Sequence, residues 1–461
     1  MGTAIDGLAS GMNTTAMINA IMGMEALPQT QLKSKLDDNQ SLITSLNTLS
    51  TQITLLQGKA SAAAAPGALN LFTTTSSSTA VTASATTGAT AGSFDLTVDQ
   101  LAQTKVGVTA ASATWPVDAS GAPSKLTIVD STGKQTEISP ASTSMDDVVT
   151  AINAAGAGVN AIKVPAGGGT YRLQLSSTTS GAAGNFTAYQ GSAADVTAGT
   201  AADLLTQPGA AIIKQAQDAS ARLYAGTAAE VTITSATNTF TNVLPGVSVT
   251  ATATSGTPAT ITVASDNAGI SKSAKDLVDA VNNVLSFISD QSSVTTTAGT
   301  NGASTAKGGK LTGNSTVRDI NDQIVNAVVM PVAGGHSPSE YGIVIQKDGS
   351  FTFDADKLSA ALAKDPAGTQ AALQEISSRV NDATKSATDF TTGSLKQYIS
   401  GRQSESTDLT NQIADWDLRL TQRRATLQAT YTAMEVSMSS LQAQQSWLTG
   451  QLAGLAPKAG N

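Results

Sequence analysis

The sequence predicts an α+β multidomain fold: long α-helical coiled-coil termini packed together, a helix-rich middle domain, and inserted antiparallel β-rich head domains. Apolar residues recur at heptad spacing near both chain ends, and between them the pattern changes to period two. The 461 residues also exceed what one hydrophobic core usually serves.

The first eleven residues carry Gly2, Gly7 and Gly11, which makes a helix there costly and a flexible segment the expectation. Asn13 offers an N-cap for a helix from Thr14 to Ala26, which Pro28 interrupts. A second helix is expected from there to about Ala64. Its seam is Leu32, Asn39, Leu46, Ile53 and Ala60, seven apart, with Lys35, Leu42, Leu49 and Leu56 offset by three. Asn39 on such a seam fixes register at a cost in stability.

The C-terminal seam is stronger. Ile413, Leu420, Leu427, Met434, Leu441, Leu448 and Leu455 stand seven residues apart, and Leu409, Trp416, Tyr431, Met438 and Leu452 flank them. With 40% hydrophobic usage, seven successive hits in a given register arise by chance about 0.002 of the time. Arg423 and Gln445 interrupt the stripe. A helix from about Thr407 to Leu455 would be roughly 70 Å long and needs partner helices.

Between Thr73 and Ala264, β-branched and small polar residues alternate, as in Phe94-Asp95-Leu96-Thr97-Val98 and Tyr171-Arg172-Leu173-Gln174-Leu175. Turn residues such as Gly92, Gly168 and Gly256 punctuate them, which marks short antiparallel strands. One helix is expected among them, with Asp146, Val148, Val149 and Ile152 at helical spacing. After Asp266 a helical stripe runs from Ala274 to Ile288. Thr295–Gly309 reads as a mobile connection, Ser315–Val329 as a helix, Ile343–Phe353 as a β element and Ala355–Leu362 as a helix. The pattern assigns 1–40 and 405–461 to a flexible terminal helical leg, and 41–70 with 266–404 to a helix-rich domain. It assigns 71–109 with 210–265 to a β-rich domain and 110–209 to an inserted β-rich outer domain.

Composition excludes whole classes of chemistry. A formal charge of -8 repels a phosphate backbone, so nucleic acid is not an expected partner. Absence of cysteine removes disulfides, thiolate metal sites and thiol nucleophiles. Neither a secretory signal nor an 18-residue apolar run is present, so the chain is not expected to be membrane-embedded. The sole histidine, His336, lies in a Gly-rich loop, too little for a triad or a metal site.

Two Gly-rich stretches, Ala166–Thr170 and Lys307–Lys310, lack the spacing of a phosphate loop and read as turns. Lys347-Asp348-Gly349-Ser350 lacks the closing glutamate of a calcium loop and reads as a hairpin turn. Asp146-Asp147 reads as helix N-terminal charge. No catalytic, cofactor or metal residues are expected, and the chain is not read as an enzyme.

Ile5-Asp6-Gly7-Leu8-Ala9-Ser10-Gly11-Met12-Asn13-Thr14, followed by Glu25-Ala26-Leu27-Pro28, resembles the N-terminal signature of the bacterial flagellar filament cap family, FliD. Members commonly carry Leu-Asp where this chain has Met12-Asn13. Gly92–Gln103 is similar to the family's first β segment, and Gly309–Arg318 and Tyr341–Pro366 to its C-terminal region. The resemblance implies a ring-shaped homo-oligomer at the filament tip, outside the cell, that promotes flagellin folding and insertion. It also implies export through the flagellar secretion system without a cleaved signal.

The partners so implied are the chain itself, flagellin, hook-filament junction proteins and a flagellar export chaperone, with host mucin or surface glycans as further ligands. The expected oligomerisation or filament contacts are Leu46, Leu49, Ile53, Leu56, Ile413, Leu420, Leu427, Met434, Leu441, Leu448 and Leu455, and the N-terminal motif is Gly7, Leu8, Ala9, Ser10 and Gly11. The competing readings are another flagellar axial protein, a junction protein or flagellin, and a surface adhesin with β-rich binding modules.

Overall fold

The computed structural model describes residues 9–298 and 304–455, the side chains of 298 and 453–455 excepted. The chain divides into two compact units, one from Met1–Pro66 with Ser271–Asn461 and one from Gly67–Ile270.

The first unit begins with helix α1 (Thr14–Glu25), whose first turn is capped by Asn13 Oδ1 accepting from the Ala16 amide at 2.7 Å. Helix α2 (Leu27–Ala64) follows at once, with Pro28 in its first turn. There the missing N–H costs nothing, because the opening amides of a helix lack acceptors anyway.

The second unit is built mainly of antiparallel β-sheets, organised around two cores. A five-stranded sheet runs in the order Phe72–Ser76, Ala259–Ser265, Gly92–Gln100, Ala219–Leu223, Val231–Ser235. Together with the three-stranded sheet of Thr239–Leu244, Val247–Ala251 and Val81–Ala85 it encloses Phe94, Leu96, Val98, Phe240, Val249 and Ile261. A second core gathers Trp115, Leu126, Ile128, Leu173, Leu175 and Phe186 with Val148 and Ile152 of helix α3 (Met145–Ala154). The short helix α4 (Ala193–Ala198) is closed by a capping box between Ser192 and Asp195.

This second core draws on two four-stranded sheets, one in the order Ala202–Asp203, Phe186–Gln190, Leu126–Asp130, Gln135–Ile138 and the other in the order Ala211–Lys214, Val106–Val108, Thr170–Ser177, Val159–Gly167. Val106–Val108 and Ala211–Lys214 therefore pair outside the 110–209 limits expected for the outer module. The strand Val106–Val108 is in register with Gln174–Ser176, and that ladder draws it across.

Returning to the first unit, helix α5 (Asn267–Ser292) buries Leu277, Val278, Val281, Val284 and Ile288. The segment expected to be a mobile connection instead pairs Val294–Ala298 with Ser304–Gly308 as a hairpin, since β-branched Thr295, Thr296 and Thr297 favour extended pairing; its tip lies outside the described residues.

Helix α6 (Ser315–Val329), the hairpin Ile343–Ile345 with Phe351–Phe353, helix α7 (Ala355–Lys364) and helix α8 (Pro366–Thr388) come next. The last element is helix α9 (Ser394–Leu455), 62 residues, or about 93 Å at 1.5 Å per residue. It begins thirteen residues before the expected start because Leu395 and Ile399 are buried and the Asp389 carboxylate ends the preceding turn on the Thr391 and Thr392 amides. Helices α2 and α9 run without a break through positions 40 and 405, so no structural interruption marks the expected edges of the leg.

Candidate functional site: the paired terminal helices

The two chain ends meet in one helical assembly. Helix α2 packs on α8 and on α9, and α1 packs on α9. Residue numbers ascend along one partner as they descend along the other, which makes α1 and α2 antiparallel to α9. Polar cross-links mark the register. Asn39 Nδ2 donates to the Arg402 carbonyl at 2.7 Å and Gln29 Nε2 to Asp417 Oδ1. Arg423 Nε donates to Glu25 Oε1 at 2.9 Å, and Arg424 to Asn19 Oδ1 at 2.7 Å. Arg423, an interruption in the apolar stripe, is thus an ion-pairing position.

The seam residues fall into three groups. Leu46, Leu49, Ile53 and Leu56 on α2 are each 0% exposed. These four expected contact residues have their partners within the chain, because the seam of α2 faces α8 and α9. On α9, Leu395, Ile399 and Leu409 are buried, and Ile413, Leu420, Leu427 and Met434 are half-buried against the N-terminal helices. Met438 is still half-buried, and beyond it the stripe is open: Leu441 is 63% exposed, Leu448 53% and Leu452 65%, with Trp447 beside them at 65%. Leu455 ends the helix, and its side chain lies outside the described residues. On α1, Ile18 and Met22 face inward while Met24 is 65% exposed.

Gly7 and Leu8 of the N-terminal motif lie outside the described residues. Ala9 and Ser10 are half-buried, and Gly11 takes a left-handed φ of +69°. Both residues before the glycine are bonded to Glu435, a residue that heptad spacing does not single out because it stands one position past Met434. No signal in the spacing could have found it.

The positions weighed for chemistry have structural roles. His336 Nδ1 lies 3.0 Å from Glu340 Oε2, at an exposed capping box. The Asp348 carboxylate accepts the Ser350 hydroxyl at 2.7 Å and the Ser350 amide at 3.0 Å, which together hold it below the usual carboxylate range. It closes the hairpin turn in which Gly349 has φ +85°. Gly167, Gly168 and Gly169 all have positive φ where the strand Val159–Gly167 turns back, and Asp146 pairs with Lys163 at 2.6 Å.

A cavity of about 700 Å³ opens beside α5 and α6, and its lining, which includes Asn282, Arg318 and Asp348, has no histidine or glutamate. Among the described residues no group of three or more acidic or histidine side chains could hold a metal ion. None of their helices is long and apolar enough to cross a membrane.

Helices with an apolar stripe left open at one end, joined to β modules through one chain, are the parts of a structural subunit of an assembly. Comparison with known proteins identifies which. Residues 10–105 match the family description "Flagellar hook-associated protein 2 N-terminus" and residues 216–443 its C-terminus, with a "Flagellin hook IN motif" at 125–179. The chain belongs to the flagellar hook-associated protein 2 family, the flagellar cap proteins known as FliD.

Flagellar hook-associated protein 2 of Escherichia coli O157:H7 is 26% identical over 96% of this chain and 97% of its own length. The A-type protein of Pseudomonas aeruginosa is 28% identical over 95% of each. The crystal structure of the D1-D2-D3 domains of the Escherichia coli flagellar cap protein FliD superposes with a TM-score of 0.62 at 26% identity, covering 78% of this chain and 99% of that one.

Proposed function

We propose that this chain caps the distal tip of a growing flagellar filament, as a ring-shaped homo-oligomer that promotes the folding and insertion of flagellin. The observation that carries the proposal is the gradient of cover along α9. One heptad seam is buried within the chain at Leu409, half-covered at Leu427 and exposed at Leu441 and Leu448. An apolar stripe of this kind in water favours a helical partner, and a fully buried leucine gains about 2 kcal/mol. The partners proposed for it are further copies of this chain and the helices of flagellin. Junction proteins at the base of the filament and an export chaperone belong to the same scheme, in which the chain leaves through the flagellar secretion system.

The four buried α2 positions are proposed to set the shape of the leg, and the distal residues Leu441 and Leu448 to make its outer contacts. The unit Gly67–Ile270 supplies the β-rich modules. Electron microscopy of the purified full chain tests the ring: closed rings of uniform diameter are expected. Particles of single-chain mass at every concentration tried would overturn the oligomeric part of the proposal.

A further inference from the structure

Glu435 is 2% exposed on a helix whose neighbouring positions Val436 and Ser437 are open to solvent. Burying a carboxylate costs several kcal/mol unless donors replace its water. The donors here come from the far end of the chain. Glu435 Oε2 accepts the amides of Ala9 at 3.0 Å and Ser10 at 3.2 Å, and Glu435 Oε1 accepts the Ser10 hydroxyl. Two turns further along the same face, the Gln442 carboxamide donates to the carbonyl of Ala9. Ser10 Oγ in turn accepts the Met12 amide at 3.2 Å, and Asn13 then caps α1.

We infer that Glu435 and Gln442 form a peptide-reading site on α9 whose occupant is this chain's own Ala9-Ser10-Gly11 segment. The site reads main chain more than side chain: a carboxylate for two successive amides, a carboxamide for the carbonyl between them, and one hydroxyl contact. That chemistry accounts for the serine and the glycine of the segment. Serine supplies the one side-chain donor. Glycine supplies the left-handed φ of +69° that turns the segment into α1, and a Cβ there would meet nothing within 4 Å, so conformation rather than space demands it. The clip pins the start of α1 to α9 at the point where cover of the apolar stripe ends, and so sets how much of α9 the subunit leaves open.

Hydrogen exchange by mass spectrometry on the full chain tests this without assembly or motility, so its outcome is independent of the cap proposal. In Glu435→Ala the fragment containing Ala9 and Ser10 should exchange at least ~10-fold faster, as expected when a charge-assisted acceptor is lost, while α9 fragments and the β unit keep their rates. Glu435→Asp, which retains the charge but is one methylene shorter, should behave like the alanine variant. Ser10→Ala, which keeps both amides, should give a smaller rise. Unchanged exchange at Ala9 and Ser10 in Glu435→Ala, or an equal rise along all of α9, would overturn the inference.

Discussion

Ile53 and Leu441 occupy the same kind of seam position, yet they should respond oppositely to truncation. Ile53 is 0% exposed on α2, the helix that packs on α8 and α9, so Ile53→Ala removes buried methylenes and leaves a cavity, at a cost of about 2–5 kcal/mol. Leu441 is 63% exposed, so little more than a third of a leucine's transfer energy of about 2 kcal/mol is at stake, and Leu441→Ala should cost under ~1 kcal/mol. Urea unfolding of the purified chain, followed by the helical circular dichroism signal, separates the two. The chain has two units, so the helical transition is fitted on its own, with an unchanged slope required before midpoints are compared. Ile53→Ala should lower that midpoint clearly and Leu441→Ala hardly at all. Equal losses in both would refute the division of the seam into an internal and an external part.

Two further predictions follow from local geometry. Asn39 is buried with Oδ1 lacking a hydrogen-bond partner, so Asn39→Leu should raise the melting temperature of the helical unit by a few degrees, at ~1 kcal/mol; a lower melting temperature would show that its bond to the Arg402 carbonyl outweighs the orphaned oxygen. In the β unit, the Lys125 ammonium at 2.6 Å holds Glu137 below its usual carboxylate range, and the Ser192 hydroxyl does the same for Asp195. Because these folded values are depressed, their stabilisation is present above the ordinary carboxylate range and is lost as pH falls through it to the folded values. The β unit should therefore melt at lower temperature as pH drops from about 5 to about 3, with Glu137→Gln flattening the slope; a midpoint that rises over that interval would contradict the assignment.

Much of the fold was legible because local signals agreed with burial. The limits of α2 and the span of α6 were read from Pro28 and the periodic apolar residues, and the hairpin turn from Asp348-Gly349; the structure adds Asn314 as the cap of α6. Helix α8 was not legible. Its buried face includes Thr369, Ser377 and Thr384, so the apolar stripe is gapped; Ser377 and Thr384 satisfy their hydroxyls on the carbonyls of Leu373 and Val380, four residues back. The Asp365-Pro366 start, with Asp365 Oδ1 capping the Gly368 amide, was the signal available.

At the candidate site, the heptads located the helices that pair but not which stretch keeps its partner within the chain. A repeat is the same text whether its partner is internal or external, and the difference lies in where the N-terminal helices meet α9: the Ala9-Ser10 segment leading into α1 is bonded at Glu435, and α2 lies against α9 farther back, at Arg402 and Asp417. Glu435 itself is out of phase with the repeat, and its donors lie more than four hundred residues away in sequence.

The central claim is that the open end of α9 makes the contacts by which the chain works in a filament. Cells carrying Leu441→Asp with Leu448→Asp in place of the native copy test it, scored for filament length and for flagellin released into the medium. Both side chains are more than half exposed in the subunit, so the variant should fold and be secreted as usual, while a carboxylate in a helix seam costs several kcal/mol to desolvate. The account predicts short or absent filaments with flagellin lost to the medium. Filaments of normal length, with no flagellin released, would contradict it.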